Sequence, residues 1–141
     1  MIKIREASID DAQALIPLLD SLGYENTEKF IKKRISQLLS NSNDALVVAC
    51  DNEKIVGFIS FCFMVQLGLE NDFCRITYFC VLEEYRSKKV GAMLESYVET
   101  KAIERKCNRI EVHCNERRKD AHRFYYRQNY IESPKYLMKM L

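Results

Sequence analysis

The spacing of apolar residues changes several times along the chain, and each change marks an element. Ile2 and Ile4 alternate with charge over Met1–Arg5, the two-residue period of a short strand. Ser8-Ile9-Asp10-Asp11 then reads as a helix cap, with carboxylates at the positive end of the helix dipole. Behind it Ala12, Leu15, Ile16, Leu19 and Leu22 form an apolar stripe, and Pro17 is expected to kink or shorten that helix. Thr27 is placed to cap a second helix, with Ile31, Ile35, Leu38 and Leu39 along one side. From Ala45 the period becomes that of strands. Ala45–Cys50 and Ile55–Val65 are rich in β-branched and aromatic residues and flank the polar turn Asp51-Asn52-Glu53-Lys54, which predicts a hairpin. Gln66–Asp72 is a loop, and Phe73–Val81 is a third long strand.

After the loop Glu84–Lys89 the helical period returns, with Val90, Leu94, Tyr97, Val98 and Ala102 on one side. Arg109–Cys114 alternates again, and Asp120 caps a short helix through Arg127. Asn129 is its left-handed stop, and Tyr136–Leu141 is expected to close the sheet as a last strand. The order is β-α-α-β-β-β-α-β-α-β. Hairpins join the early strands and a helical crossover joins the later ones, so the sheet is expected to be mixed, in an α/β (α+β) class.

At 141 residues the chain is expected to form one domain over 1–141. Its 22 basic and 20 acidic residues nearly balance, which speaks against a nucleic-acid or membrane partner. No apolar run is long enough to span a bilayer, and no secretory signal opens the chain. The six cysteines lack zinc-knuckle spacing, and Cys50, Cys62 and Cys80 sit in apolar runs where Cys acts as a small hydrophobe. They read as reduced thiols in a cytoplasmic setting, with no metal expected.

One junction carries chemistry: the strand Ile76–Val81, the loop Glu84–Lys89 and the helix from Val90. Amides at a helix start lack internal partners and face the positive end of its dipole. Gly91, in the first turn, lets a phosphate approach the main chain, while Arg86, Lys88 and Lys89 add positive charge. On these grounds alone, a pyrophosphate site and an ordinary solvated loop are equally good readings.

Tyr85-Arg86-Ser87-Lys88-Lys89-Val90-Gly91-Ala92 resembles the acetyl-CoA signature (Arg/Gln-x-x-Gly-x-Gly/Ala) of the GNAT superfamily of N-acetyltransferases. Arg86 and Gly91 fall on its first and last positions. Lys89 stands at the first Gly position, a departure that implies an unstrained backbone there. Asp120-Ala121-His122-Arg123-Phe124-Tyr125 through Tyr130 resembles the family's later motif Ala-x-x-Phe-Tyr-x-x-x-Gly-Phe/Tyr, with Asn129 for the Gly. Asn115 and Leu22-Gly23-Tyr24 also match. Within the superfamily the likeness is to small-molecule enzymes such as the aminoalkylphosphonate N-acetyltransferases.

The resemblance implies a mixed, mostly antiparallel sheet of about six or seven strands with flanking helices. It implies that acetyl-CoA is the cosubstrate, with its pantetheine arm on the main chain of Phe79, Cys80 and Val81. The pyrophosphate would lie on Arg86, Ser87, Lys88, Lys89, Val90, Gly91 and Ala92, with Asn115 close by. Tyr125 matches the tyrosine general acid. A small-molecule primary amine is the expected acceptor, with Leu22–Asn43 and Gln66–Asp72 on the acceptor side. Glu111, His113, Tyr78 or a water relay are candidates for the base. Arg117-Arg118-Lys119 is a solvated loop, or a contact for the coenzyme's 3′-phosphate or an acidic substrate. The alternatives are acetylation of a protein N-terminus or lysine, a non-catalytic acyl-CoA-binding regulatory domain, and a toxin acting on aminoacyl-tRNA. A homodimer is left open.

Overall fold

A computed structural model of the chain describes residues 1–113, 119–133 and 137–141. They divide into two compact units, Met1–Glu111 and Val112–Leu141. One five-stranded sheet runs in the order β1 (Ile2–Glu6), β2 (Asp44–Asp51), β3 (Lys54–Met64), β4 (Phe73–Val81), β5 (Ile110–Val112). The β1–β2, β2–β3 and β3–β4 pairs are antiparallel. Between β1 and β2 lie α1 (Ala12–Ser21) and α2 (Ile31–Ser40); α3 (Val90–Glu104) joins β4 to β5, and α4 (Lys119–Arg127) follows.

Among the described residues the sheet has five strands, where six or seven were expected. Of the expected closing strand, Tyr136 lies outside the described residues, and residues 137–141 form no strand. Leu137, Met138 and Met140 there are exposed, and apolar content without a partner ladder does not make a strand. β5 is shorter than the expected Arg109–Cys114, and Cys114 lies outside the described residues. The β2–β3 hairpin is tight: Asp51 pairs with Lys54, and Asn52 takes φ 55°, a hand that Asn tolerates.

The sheet in the first unit buries both faces. On one, Leu15 and Leu18 of α1 and Ile31 and Ile35 of α2 pack with Leu46, Val48, Phe58 and Cys80. On the other, Val90, Leu94, Val98 and Ala102 recur every four residues along α3 and are buried. Each larger side chain among them contributes about 1.5–3 kcal/mol by leaving water. Gly57 of β3 lets α3 come this close. A Cβ there would lie 3.0 Å from the Cys80 carbonyl oxygen and 3.3 Å from Leu94 Cδ1. Gly57→Ala is expected to lower stability by about 1–3 kcal/mol in chemical denaturation. An unchanged midpoint would show that helix and sheet have room to spare.

Cap residues depart from expectation at one helix. Thr27 opens a short 3-10 turn, Thr27–Lys29, and the residue before α2 is Phe30. Thr27 is buried, and its Oγ1 has no partner among the described residues, because it stands too far from Ile31 to reach the first turn of α2. Pro17 lies inside α1 without ending it. Gly23 (φ 97°) ends α1. The Gly23 amide donates to Asp20 O at 2.9 Å and the Tyr24 amide to Leu19 O at 2.9 Å, so the chain turns sharply and delivers Tyr24.

Arg5 of β1 and Asp11 pin the start of α1 to the sheet through bonds of 2.8 and 2.9 Å. The Ser8 amide also donates to Asp11 Oδ2 at 2.8 Å. Arg5 above all, and then the Ser8 amide, hold this buried carboxyl below its ordinary range against the opposing effect of burial. A depressed folded-state pKa stabilises above the unfolded value of about 3.9, and that contribution is lost as pH falls through the folded value. Asp11→Asn is therefore expected to cost about 1–3 kcal/mol at pH 7. The gap from wild type should narrow below about pH 3.9, as denaturation at stepped pH would report.

Candidate active site

β4 ends at Val81, a 3-10 turn spans Glu83–Tyr85, and α3 begins at Val90. Tyr85 ties this connection to the β2–β3 hairpin: its hydroxyl donates to Asp51 Oδ2 at 2.7 Å. The ammonium groups of Lys88 and Lys54 lie 5.0 and 5.5 Å from its ring centroid. Arg86 Nε donates to the Val81 carbonyl at 3.3 Å, and Val90 is fully buried, which anchors the far end.

Between these anchors the chain changes hand twice. Ser87 has φ 68° and Lys89 has φ 67°, while Lys88 between them does not take a positive φ. This corrects the expectation of an unstrained residue 89. Lys89 adopts the left-handed region that the motif's Gly would occupy freely, at a cost of about 1 kcal/mol. Alternating hand turns successive amides toward one side, a concavity that suits anions. Among the described residues, no acceptor takes the amide protons of Ser87, Lys89, Val90, Gly91 or Ala92. Met93, one turn in, donates to Lys89 O at 3.0 Å in the ordinary helical way. Five unpartnered donors at the positive end of a 15-residue helix can hold a diphosphate.

The neighbouring strand carries a feature absent from the sequence reading. Ser60 of β3 pairs with Tyr78 and Phe61 with Ile76, so Thr77 is an extra residue in β4. Bulges of this kind re-aim side chains and are frequent beside active sites. Thr77 Oγ1 meets Ser60 Oγ at 2.5 Å. Cys80 is buried, with its sulfur 3.3 Å from Ser21 Oγ of α1, so its side chain is committed to the core.

Two candidate bases are poorly suited to the task. Burial raises the Glu111 carboxyl, but hydrogen bonds from Arg75 (3.0 Å) and Arg109 (2.7 Å) outweigh it and hold the group below its usual range. A carboxylate fixed between two guanidiniums is a weak proton acceptor. Burial first, and Tyr24 second, raise the Tyr78 phenol, which keeps it protonated. His113 is exposed.

Tyr78 lines a cleft of about 690 Å³ between α1, α2 and the sheet, together with Tyr24, Phe30, Arg34, Asp44 and Ser60. The Tyr24 and Tyr78 rings meet edge to face with centroids 5.1 Å apart. No residue of 66–72 lines this cleft; Gln66 instead donates to Asn71 O at 2.6 Å. Arg34, Asp44 and Ser60 were not singled out in the sequence, where they are scattered over three elements, α2, β2 and β3. The only local signal was polar residues inside otherwise apolar stripes.

In the second unit, Tyr125 is buried and Tyr126 exposed, with the Tyr126 hydroxyl donating to Glu132 at 2.8 Å. Asn129 has φ 71°, the expected left-handed stop. Its amide donates to Tyr126 O, and the Tyr130 amide donates to Tyr125 O, both at 3.0 Å. This termination brings the Tyr125 and Tyr130 rings to 5.4 Å, which gives the spacing of those two tyrosines a physical reason. Asp120 stands inside the first turn of α4 rather than at its cap and pairs with Arg123. Asn115, Arg117 and Arg118 lie outside the described residues. Among the described residues, no helix is long and apolar enough to cross a membrane, and no cluster of His, Cys, Asp or Glu is placed to hold a metal.

The chain is similar to known proteins along almost its whole length. An aminoalkylphosphonate N-acetyltransferase from Salmonella typhimurium is 28% identical over 132 residues, 93% of this chain and 86% of that protein. The structure of a transcriptional regulator from Bacillus halodurans C-125 is 25% identical, with a TM-score of 0.93 and 100% of both chains covered. AAC(6')-Iy in complex with the bisubstrate analog CoA-S-monomethyl-acetylneamine shares the fold, with a TM-score of 0.86 over 100% of this chain and 98% of that one, at 12% identity. The model of the Acetyltransferase (GNAT) family matches residues 10–130, from the start of α1 through the loop before α3 to Tyr130. The chain belongs to the GNAT family and is an acetyltransferase.

Proposed function

We propose that this enzyme moves the acetyl group of acetyl-CoA onto the primary amine of a small molecule by direct attack of the amine on the thioester. The observation that carries the reading is the set of amides at Ser87 and Lys89–Ala92 without a partner among the described residues, in a loop of alternating hand. Those amides hold the pyrophosphate, with Arg86 and Lys88 adding charge at the rim. The main chain of Phe79, Cys80 and Val81 receives the pantetheine arm as an added strand, and Asn115 belongs to the same site by resemblance. Because main chain makes these contacts, Lys89 is acceptable at a motif Gly position.

Three tasks fall to the protein once the amine is in place. A proton must leave an ammonium whose pKa is near 10. A strand amide near Val81 stabilises the carbonyl oxygen as negative charge develops on it. The Tyr125 hydroxyl gives a proton to the departing thiolate. With Glu111 held by arginines and Tyr78 kept protonated, the first task falls to His113 or to water. The cleft beside Tyr78 has the volume of a small-molecule site, which favours a small amine over a protein chain as acceptor.

Release of free thiol from acetyl-CoA, measured against a panel of amines, tests the reading. Amine-dependent thiol release is expected. Tight coenzyme binding with no turnover on any amine would instead support a regulatory acyl-CoA-binding domain.

A further inference from the structure

We infer that the acetyl acceptor carries an anionic group in addition to its amine, and that Arg34 receives that anion in the cleft between α1, α2 and the sheet. The inference rests on the acetyl-transfer reading above and concerns the other half of the site. Three charged residues line the cleft: Glu25, Arg34 and Asp44. Other charges in this unit form ion pairs, as in Arg5–Asp11 at 2.8 Å, Arg75–Glu111 at 3.0 Å and Arg105–Asp72 at 3.6 Å. The cleft charges do not. Among the described residues neither Glu25 nor Asp44 takes part in an ion pair. Among the described residues the Arg34 guanidinium gives one bond, Nη1 to Gln37 Oε1 at 3.0 Å on its own helix, and its other side-chain donors have no acceptor.

Opposite charges that line one cavity without neutralising each other are complementary to a ligand bearing both signs. A polyamine would bring a second cation to Arg34, and a simple anion would meet two carboxylates. A zwitterion leaves neither unmatched. The guanidinium is a planar fork of donors suited to a carboxylate, phosphonate or phosphate, which it can grip through two parallel bonds. Tyr78 lies on the strand that leads to Phe79–Val81, so the amine end belongs at Tyr78 and the anionic end at α2.

The test compares kcat/KM for matched primary amines: 2-aminoethylphosphonate, phosphoethanolamine, β-alanine, propylamine and putrescine. The anion-bearing acceptors are expected to exceed propylamine and putrescine by at least ~10-fold. Arg34→Gln should lower kcat/KM for them by ~10–100-fold, mainly through KM, and affect propylamine far less. Arg34→Lys should recover part of the loss, and both variants should keep wild-type melting behaviour, since Arg34 is exposed. The ranking among the three anionic acceptors identifies which anion fits. Putrescine or propylamine as the best acceptor, or an Arg34→Gln enzyme unaltered toward the anionic amines, would overturn the inference. So would coenzyme binding without acetylation of any anion-bearing amine. Failure to bind coenzyme A at all would instead overturn the reading beneath it.

Discussion

Phenylalanine at Tyr125 is expected to lower kcat by ~10–10³-fold while coenzyme affinity stays nearly intact. The substitution removes one hydroxyl and keeps the ring that packs against Tyr130 at 5.4 Å, so the turn ending α4 should survive. Its Schellman-type bonds, from the amides of Asn129 and Tyr130, involve only main chain and are untouched. Steady-state kinetics with acetyl-CoA, alongside a coenzyme binding titration, separate the two effects. A kcat equal to wild type would remove Tyr125 from the general-acid role. Tyr126→Phe is the natural control, because that hydroxyl is exposed and engaged with Glu132.

Aspartate at Gly91 is expected to weaken coenzyme A binding by at least ~100-fold, since like charges forced together cost several kcal/mol. The helix itself should tolerate the change, because a carboxylate in the first turn of α3 is favourable toward the dipole. Loss of binding with retained melting temperature would locate the diphosphate at these amides. The complementary variant is Lys89→Gly. It frees residue 89 from its left-handed strain at φ 67° and should raise stability by about 1 kcal/mol. Coenzyme affinity should change little, because the main chain and not the lysine side chain makes the contact. A large loss of affinity in Lys89→Gly would assign the phosphate to the ammonium instead.

Much of the frame was legible because period alone defines it. The β2–β3 hairpin, β4 and α3 come straight from the alternation around Asn52 and the four-residue recurrence of Val90, Leu94, Val98 and Ala102. What escaped depends on position rather than pattern. Thr27 has the right chemistry for a cap and the wrong distance from α2, so it became a buried hydroxyl inside a 3-10 turn. The extra residue Thr77 is invisible in an unbroken β-branched and aromatic run, since only pairing with Ser60 and Phe61 reveals it. The hand of Lys89 contradicts its residue type, and for that reason the sequence led to an unstrained backbone there.

The site divides the same way. The proposed diphosphate loop lies on one contiguous stretch, residues 86–92, which is why the sequence could suggest it. The cleft proposed for the acceptor draws Tyr24, Arg34, Asp44, Ser60 and Tyr78 from separate elements that meet only in the folded chain. Glu111 stood out in sequence as a base on a strand face. Its partner Arg75 is 36 residues away, and that long-range contact changes its chemistry.

Backbone amide shifts during titration with coenzyme A test the central claim most directly. Ser87, Lys89, Val90, Gly91 and Ala92 should move most, with Met93, already bonded to Lys89 O, moving less. Saturation with those five amides unmoved, or with the largest shifts elsewhere in the chain, would contradict the account.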